Sequence, residues 1–525
     1  MSSQVRFLNI SHVRPVQTAA APRRAEAVLH GPGAGPHKKI QRLFFFDGPD
    51  LPPFLSVVSV LRSSLAATLT VFLPLDGELT FRPDSGDVVI YFSPAAISSS
   101  PGVKFVEAEF AGGADGMRHL ARGDAHDTEA FARLVPSLDA ESLPTPVLAV
   151  QVTSPADGGA AVAVVGEKDF AWCSLSHFEI LRLIDLTNWR RSFWISHLLA
   201  PLRGLFSTSG RVTRVSIRLA VAVGHAVWQF LRAWSTASRE GPGSLTAPGF
   251  VQPTFARAGI RHPKSAEIAC TLLSKAAPAP ALPLLRSTSS KPEIMQQSAR
   301  TFLLRADEIW YLKQHILERS RRFNRGEPSR PPSTYVAISS LAWVSIARAK
   351  LTMLHTDDAR PIVIADCRNR LRPPLGDGFF GNSIKPCVAW ASAGDLRAGV
   401  ARAAAAIQDA IRVHLEELEG DPLSDTESWV ATYGSTPPER IVAVGSSNRF
   451  MAYEPDFGWG GPSRVELVSL FVGQMVTLLG AGDGGVQVSV ALDAAMMDAF
   501  AANFVVSSPI SAVDTVDAGA VSSAR

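Results

Sequence analysis

Apolar residues recur every three to four positions through Val58, Leu61, Leu65, Leu69 and Phe72, which predicts a helix over 55–72. Elsewhere the pattern shortens to alternation or brief continuous apolar runs. Residues 87–92 predict a strand, and 147–152 with 161–165, turning around Asp157-Gly158, predict a hairpin. Ser333-Thr334 can cap a helix running through Leu341, Trp343 and Ile346. A short buried strand is expected at 362–365, and Val400, Ile407, Ile411, Leu415 and Leu418 mark another helix. Three further strands are expected at 465–470, 474–479 and 486–492, the last two turning at Gly482-Asp483-Gly484-Gly485. Mixed strands and helices in both halves predict the α/β class, with mixed β-sheets flanked by helices.

A chain of 525 residues exceeds what one hydrophobic core usually organises, so two domains are expected. The break falls at 274–298, where Ala-Pro-Ala-Pro-Ala precedes a Ser- and Lys-containing run without apolar period. This gives an N-terminal domain over 1–273 and a C-terminal domain over 299–525. Inside the first, Ala161-Val162-Ala163-Val164 is echoed by Ala220-Val221-Ala222-Val223. Between the two copies the chain changes character. Trp172, Trp189 and Trp194 lie among scattered Ser and Arg with no clean helix or strand period. A structureless connection of this length is unusual inside a compact domain. Residues 166–219 therefore read as an insertion that splits the strand leading to His225.

The overall charge of +3, from 51 basic and 48 acidic residues, gives no reason to expect nucleic acid as the main partner. The insertion is more basic than the whole, with eight Lys/Arg against four acids, and a basic binding loop is its alternative reading. Cys173, Cys270, Cys367 and Cys387 stand isolated, without a CxxC pair, as expected of free thiols in a reducing compartment. The apolar run 193–206 is interrupted by His197, Pro201 and Arg203, well short of a membrane span. A cytoplasmic monomer with no membrane partner is the expectation.

Candidate chemistry gathers in six short segments. Near the C-terminus the chain reads Asp456-Phe457-Gly458-Trp459-Gly460, and upstream His225-Ala226-Val227-Trp228-Gln229. Between them stand Asp366-Cys367-Arg368-Asn369-Arg370-Leu371 and Phe379-Phe380-Gly381-Asn382. Closer to the N-terminus come residues 40–47, IQRLFFFD, and 72–77, FLPLDG. Taken singly, Asp456 can hold a turn through its carboxylate, Gly458 and Gly460 permit backbone angles other residues resist, and Trp459 packs. His225 by itself is a general base or an ordinary core or surface imidazole. His126-Asp127 and His355-Thr356-Asp357-Asp358 read as polar surface segments without a third ligand at metal spacing, so no metal is expected. The chain has no P-loop, no G-x-S-x-G elbow and no H-E-x-x-H.

Taken in chain order, these segments resemble the plant BAHD acyltransferases, which move an acyl group from coenzyme A to a hydroxyl or amine. The F-F-G-N element is similar to that of the branch acting on anthocyanins and phenolic glucosides. The resemblance implies two chloramphenicol-acetyltransferase-like domains with a channel between them. It implies an acyl-CoA co-substrate (malonyl-CoA or an aromatic acyl-CoA), a small phenolic acceptor, no permanent cofactor and no covalent intermediate. By the same resemblance His225 is the general base that takes the acceptor proton, Arg368 and Asp456 are structural anchors, and Gly458, Trp459 and Gly460 shape the coenzyme A side. Ser446, Ser447 and Arg449 are candidates for contacting coenzyme A, and Asn382 for lining the acyl pocket; solvated loop residues are an equal account of the first three.

The sequence departs from the family's H-x-x-x-D-G at two points: Gln229 stands where Asp is expected, and no Gly follows. It runs as though about six residues between two Ala-Val pairs were missing. The resemblance gives the absent Asp an arginine partner, so Arg368 is expected to be left unpaired and the His225 loop shortened. The alternative function is accordingly an impaired or non-catalytic relative that only binds coenzyme A or phenolic ligands.

Overall fold

The computed structural model describes residues 5–16, 26–28, 39–82, 87–92, 101–134, 144–157, 161–164, 210–218, 224–255, 297–323, 331–350, 358–417, 421–425, 440–468 and 474–504. Two large sheets organise them. The first runs β1 (Val5–Val13), β6 (Val103–Phe110), β8 (Leu148–Pro155), β10 (Gly210–Arg218), β9 (Ala161–Val164), β3 (Lys39–Asp47) and β16 (Arg464–Leu467). The second runs β11 (Gln297–Leu304), β18 (Val486–Asp493), β17 (Met475–Gly480), β15 (Ile441–Met451), β12 (Asp358–Asp366) and β13 (Ile384–Val388), with β14 (Ala391–Ser392) on β12. A smaller sheet joins β2 (Glu26–Val28), β5 (Asp87–Tyr91), β4 (Glu78–Arg82) and β7 (Thr145–Pro146). Both large sheets are mixed: β6–β8, β12–β15 and β15–β17 are parallel within otherwise mainly antiparallel ladders. With helices packed on them, this is an α/β fold.

Helix α1 (Phe54–Val71) forms where the apolar period predicted it, and its buried stripe is Val57, Val58, Leu61, Leu65 and Leu69. It is long and apolar enough to cross a membrane by length and composition, yet that stripe faces the first core. Phe44 and Phe46 of β3 and Phe230, Leu231 and Trp234 of the helix His225–Glu240 complete this core. The indole of Trp234 donates to Ser64 Oγ at 3.0 Å, so its one polar atom is satisfied inside. On the other face of the first sheet, α2 (Gly113–Arg122) and α3 (Thr128–Arg133) cover Leu43, Phe45 and Phe110. The helix from His225 is α4.

The second core lies under α5 (Ala306–Phe323), α6 (Thr334–Ala349), α7 (Ala393–Ala398), α8 (Val400–Leu415) and α9 (Ala494–Phe504). Ser333 Oγ accepts the Val336 N–H at 3.2 Å and caps α6, whose sides are apolar nearly all round and almost wholly buried.

The two halves exchange backbone. β16 leaves the C-terminal half and pairs with β3, setting Arg464 opposite Phe45 and Leu467 opposite Arg42. In return, residues 124–126 line the edge strand β11, with Thr301 N donating to Asp124 O and His126 N to Ala299 O, each at 2.9 Å. The strand expected at 465–470 is present as β16 and closes the edge of the first sheet. The reason is long-range: Val465 pairs with Phe44 of β3 and packs in the same core.

The expected linker 274–298 lies outside the described residues except for Gln297 and Ser298, which open β11. The expected insertion lies outside them over 166–209, and so does the echo tract 220–223. Its end corrects the sequence reading. Residues 210–218, which showed no clean period, form β10 within the first sheet because β3 and β8 supply the ladder. β9 has the same partners: Phe44 to Asp47 of β3 pair with Val164 to Ala161 and also with Thr213 to Gly210. Val152 and Thr153 of β8 likewise meet both strands. β9 and β10 also touch each other, Arg211 pairing in parallel with Ala161.

Candidate active site

His225 is the first residue of α4, so the imidazole stands at the start of a helix. Gly224 precedes it at φ 46°, and a Cβ there would come within 2.8 Å of the Phe450 ring. Only glycine serves at this entry. Positions 226–229 are helical, so Gln229 stands one turn beyond His225 on the same face. That face meets the segment running from β12 into the F-F-G-N turn. Gln229 Nε2 reaches the Gly378 carbonyl at 3.5 Å, and its Oε1 is buried without a hydrogen-bond partner.

Arg368 is brought to the imidazole. Its Nη1 lies 2.5 Å from His225 Nδ1, and the guanidinium is 4% exposed. An arginine side chain has only N–H donors, so Nδ1 is the acceptor and the neutral ring carries its proton on Nε2. Burial, and then the charge of Arg368, push the imidazole pKa down to about 4 against the opposing pull of Asp366 and Asp377. At neutral pH the ring is uncharged and weakly basic.

The expectation that Arg368 would lack a partner is corrected. Asp366, two residues earlier, accepts its backbone N–H at 2.9 Å and sets a carboxylate oxygen 3.4 Å from Nε. Nη1 also reaches the Phe379 carbonyl at 3.4 Å, and the guanidinium lies over the Phe379 ring at 5.9 Å. No hydrogen bond reaches Nε itself.

The Asp456 turn lies at the opposite end of α4. Asp456 Oδ1 accepts the N–H groups of Gly458, Trp459 and Gly460 at 2.8, 3.1 and 2.9 Å. Gly458 and Gly460 have φ of 109° and 90°, which side chains resist. Phe457 rests edge-to-face on Trp234 at 5.0 Å, and Ser238 Oγ donates to its carbonyl at 2.8 Å. At about 1.5 Å per residue, Ser238 is roughly 20 Å along the helix from His225. The turn anchors the far end of the helix whose first residue is the imidazole.

The other candidates are dispersed. Ser446 on β15 is buried, has φ 63° and leaves Oγ without a partner, whereas Arg449 is exposed and its N–H meets Ser447 Oγ at 3.2 Å. Asn382 is half-buried just after Gly381. Among the described residues no group of His, Cys, Asp and Glu could hold a metal ion.

One polar cluster escaped the sequence reading. His126, read as surface, has a side chain 2% exposed and donates to or accepts from Thr301 Oγ1 at 2.8 Å, with Glu466 Oε2 at 3.2 Å. Arg464 Nε donates to Glu466 Oε1 at 2.5 Å, and Thr301 Oγ1 to Glu466 Oε2 at 3.0 Å. Burial opposes ionisation of Glu466, but the His126 ring and the Arg464 guanidinium outweigh it and hold the carboxyl down to about 2. The signal available was a glutamate inside the apolar strand Val465–Leu467. Arg42 of β3 is likewise buried, lying 5.4 Å from the centroid of the Trp228 ring.

Two mixed sheets trade segments, and an imidazole stands where a helix of one half meets a D-x-R segment of the other. Comparison with known proteins makes this specific. The model of the Transferase family matches residues 34–171 and 206–506. The chain belongs to that family, the BAHD acyltransferases, which use acyl-CoA as co-substrate, and it is an acyltransferase of the class moving groups other than aminoacyl groups. It is 25% identical to malonyl-CoA:anthocyanidin 5-O-glucoside-6''-O-malonyltransferase of Arabidopsis thaliana over 471 residues, covering 86% of this chain and 87% of that one. Phenolic glucoside malonyltransferase 1 of the same plant is 23% identical, with 87% and 88% covered. Among solved structures, vinorine synthase superposes with a TM-score of 0.63 at 16% identity, covering 94% of this chain and 96% of that one. TRI101 of F. graminearum with coenzyme A and T-2 mycotoxin gives 0.56 at 13% identity, covering 88% and 93%. These likenesses share the fold.

Proposed function

We propose that the chain transfers an acyl group, malonyl or hydroxycinnamoyl, from coenzyme A to a hydroxyl of a phenolic or flavonoid glycoside, in the cytoplasm and as a monomer. The observation that carries the reading is the His225 imidazole on Arg368, at the meeting of the two halves, in a chain similar over most of its length to glucoside malonyltransferases. An acceptor hydroxyl must lose its proton as it attacks the thioester carbonyl, and a positioned imidazole suits that task. The division into domains at 274–298 and the insertion over 166–219 belong to the same proposal. The family match supports only the middle of that insertion, since it leaves 172–205 unmatched but covers 166–171 and 206–219.

The test is release of coenzyme A thiol by the purified chain, given malonyl-CoA or p-coumaroyl-CoA with a panel of phenolic glucosides. His225→Ala is expected to lower kcat about 10²–10⁴-fold. An unchanged rate in that variant would remove His225 from the reaction. A second reading, binding without turnover, is favoured by Gln229 in place of the motif Asp and by the weakly basic ring. Protection by coenzyme A against thermal unfolding, with no thiol released from either donor, would select it.

A further inference from the structure

We propose that the groove between β1 and α1 is a binding site for a small carboxylate with a flat apolar body, separate from the His225 site. The inference does not depend on the reaction proposed above.

The groove encloses a cavity of about 600 Å³, the size of a small-molecule site. One wall is a single face of α1, where Leu55, Ser59, Arg62 and Ala66 recur at helical spacing. The facing wall is the end of β1, from His12 to Arg14, with Glu107 of β6 beside it. In the first sheet β1 and β16 are opposite edges. β10 pairs directly with β3, so five strand spacings separate those edges, about 24 Å at the usual interval. The groove is therefore far from the junction of the two halves.

Two guanidinium groups line it with donors to spare. Arg62 Nη1 donates to Ser11 Oγ at 2.5 Å and lies 3.5 Å from Glu107 Oε1, while its head sits 5.4 Å from the Phe105 ring centroid. These contacts fix the head, yet among the described residues Nη2 and Nε meet no acceptor. Arg14 is exposed and spends only Nε, on the Pro101 carbonyl at 3.5 Å. The one acid lining the groove, Glu107, is already held by Asn9 Nδ2 at 2.9 Å and by Arg62. Asp76, whose carboxyl also feels Arg14, lies past the end of α1 and does not line the groove. Two guanidinium groups against one occupied carboxylate leave positive charge unmatched.

The remaining lining is apolar. Val13 and Val58 face the groove from the core side, and Leu55 is 75% exposed beside them. Each half of this surface narrows the ligand. An inorganic anion would leave the apolar wall in water, and a neutral aromatic would leave the arginine donors unused. A carboxylate on a flat ring meets both, since guanidinium takes carboxylate through paired bonds and stacks on aromatic faces.

The experiment is calorimetric titration of the full chain with 2-naphthoate, using 2-naphthamide as the control for charge and inorganic phosphate as the control for the apolar body. One saturable site is expected for the naphthoate, with the amide and phosphate each about 10-fold weaker or worse. Arg14→Gln and Arg62→Gln should each weaken naphthoate by about 10-fold or more. Ser59→Trp, which fills the groove from an exposed position on α1, should abolish binding. If Arg62→Gln does not fold, the two exposed positions carry the test. Saturating coenzyme A and the His225→Ala substitution should leave the isotherm unchanged. Absence of a saturable site, an amide that binds as tightly as the acid, folded variants with unchanged affinity, or displacement by coenzyme A would each overturn the proposal. Turnover is not part of the measurement, so failure of the proposed reaction leaves this inference standing.

Discussion

Glutamine at position 466 would keep the shape of the buried glutamate and remove its charge. Glu466 is 1% exposed, and its folded carboxyl sits at about 2 against a reference of 4.5. Because the folded value is the lower one, the stabilisation is fully present above pH 4.5 and disappears as pH falls towards 2. A displacement of that size corresponds to about 3 kcal/mol. The assay is urea unfolding of wild type and Glu466→Gln at pH 6 and at pH 2.5. The wild-type advantage should shrink by roughly 2–3 kcal/mol between those two conditions. Comparing the two proteins at each pH cancels the acid response of the other carboxylates. Glu466→Ala, which also strands Arg464 and Thr301, should cost about 3–5 kcal/mol at neutral pH. A wild-type advantage that stays constant with pH would refute the view that Glu466 is an ionised tie between the two halves.

Other consequences are as direct. Burial pushes the Asp76 carboxyl up to about 7 from 3.8, so its cost to stability is absent in acid, grows as pH rises through that interval and then levels off. Asp76→Asn should therefore stabilise the chain at pH 8, on the order of 2–4 kcal/mol, and much less at pH 4, as read by urea midpoints at the two pH values. Phe457→Ala empties the space against Trp234 and Phe46 and should cost about 3–5 kcal/mol in thermal or urea unfolding.

Elements that close through near neighbours were legible in the amino-acid order alone. The period through Val58, Leu65 and Leu69 made α1, Ser333 started α6, and Asp456 with Gly458 and Gly460 made a turn that closes through its own backbone N–H groups. None of these needs a distant partner to take its shape. The tertiary structure alone decided which distant groups meet. It sent β16 to β3, formed β10 from a segment with no period of its own, buried a histidine that reads as surface, and laid Arg368 on His225 across 143 positions of sequence. The physical reason is that a periodicity or a cap is settled by neighbours three or four residues away. A sheet edge or a buried guanidinium instead takes whichever complementary group the completed packing brings within reach.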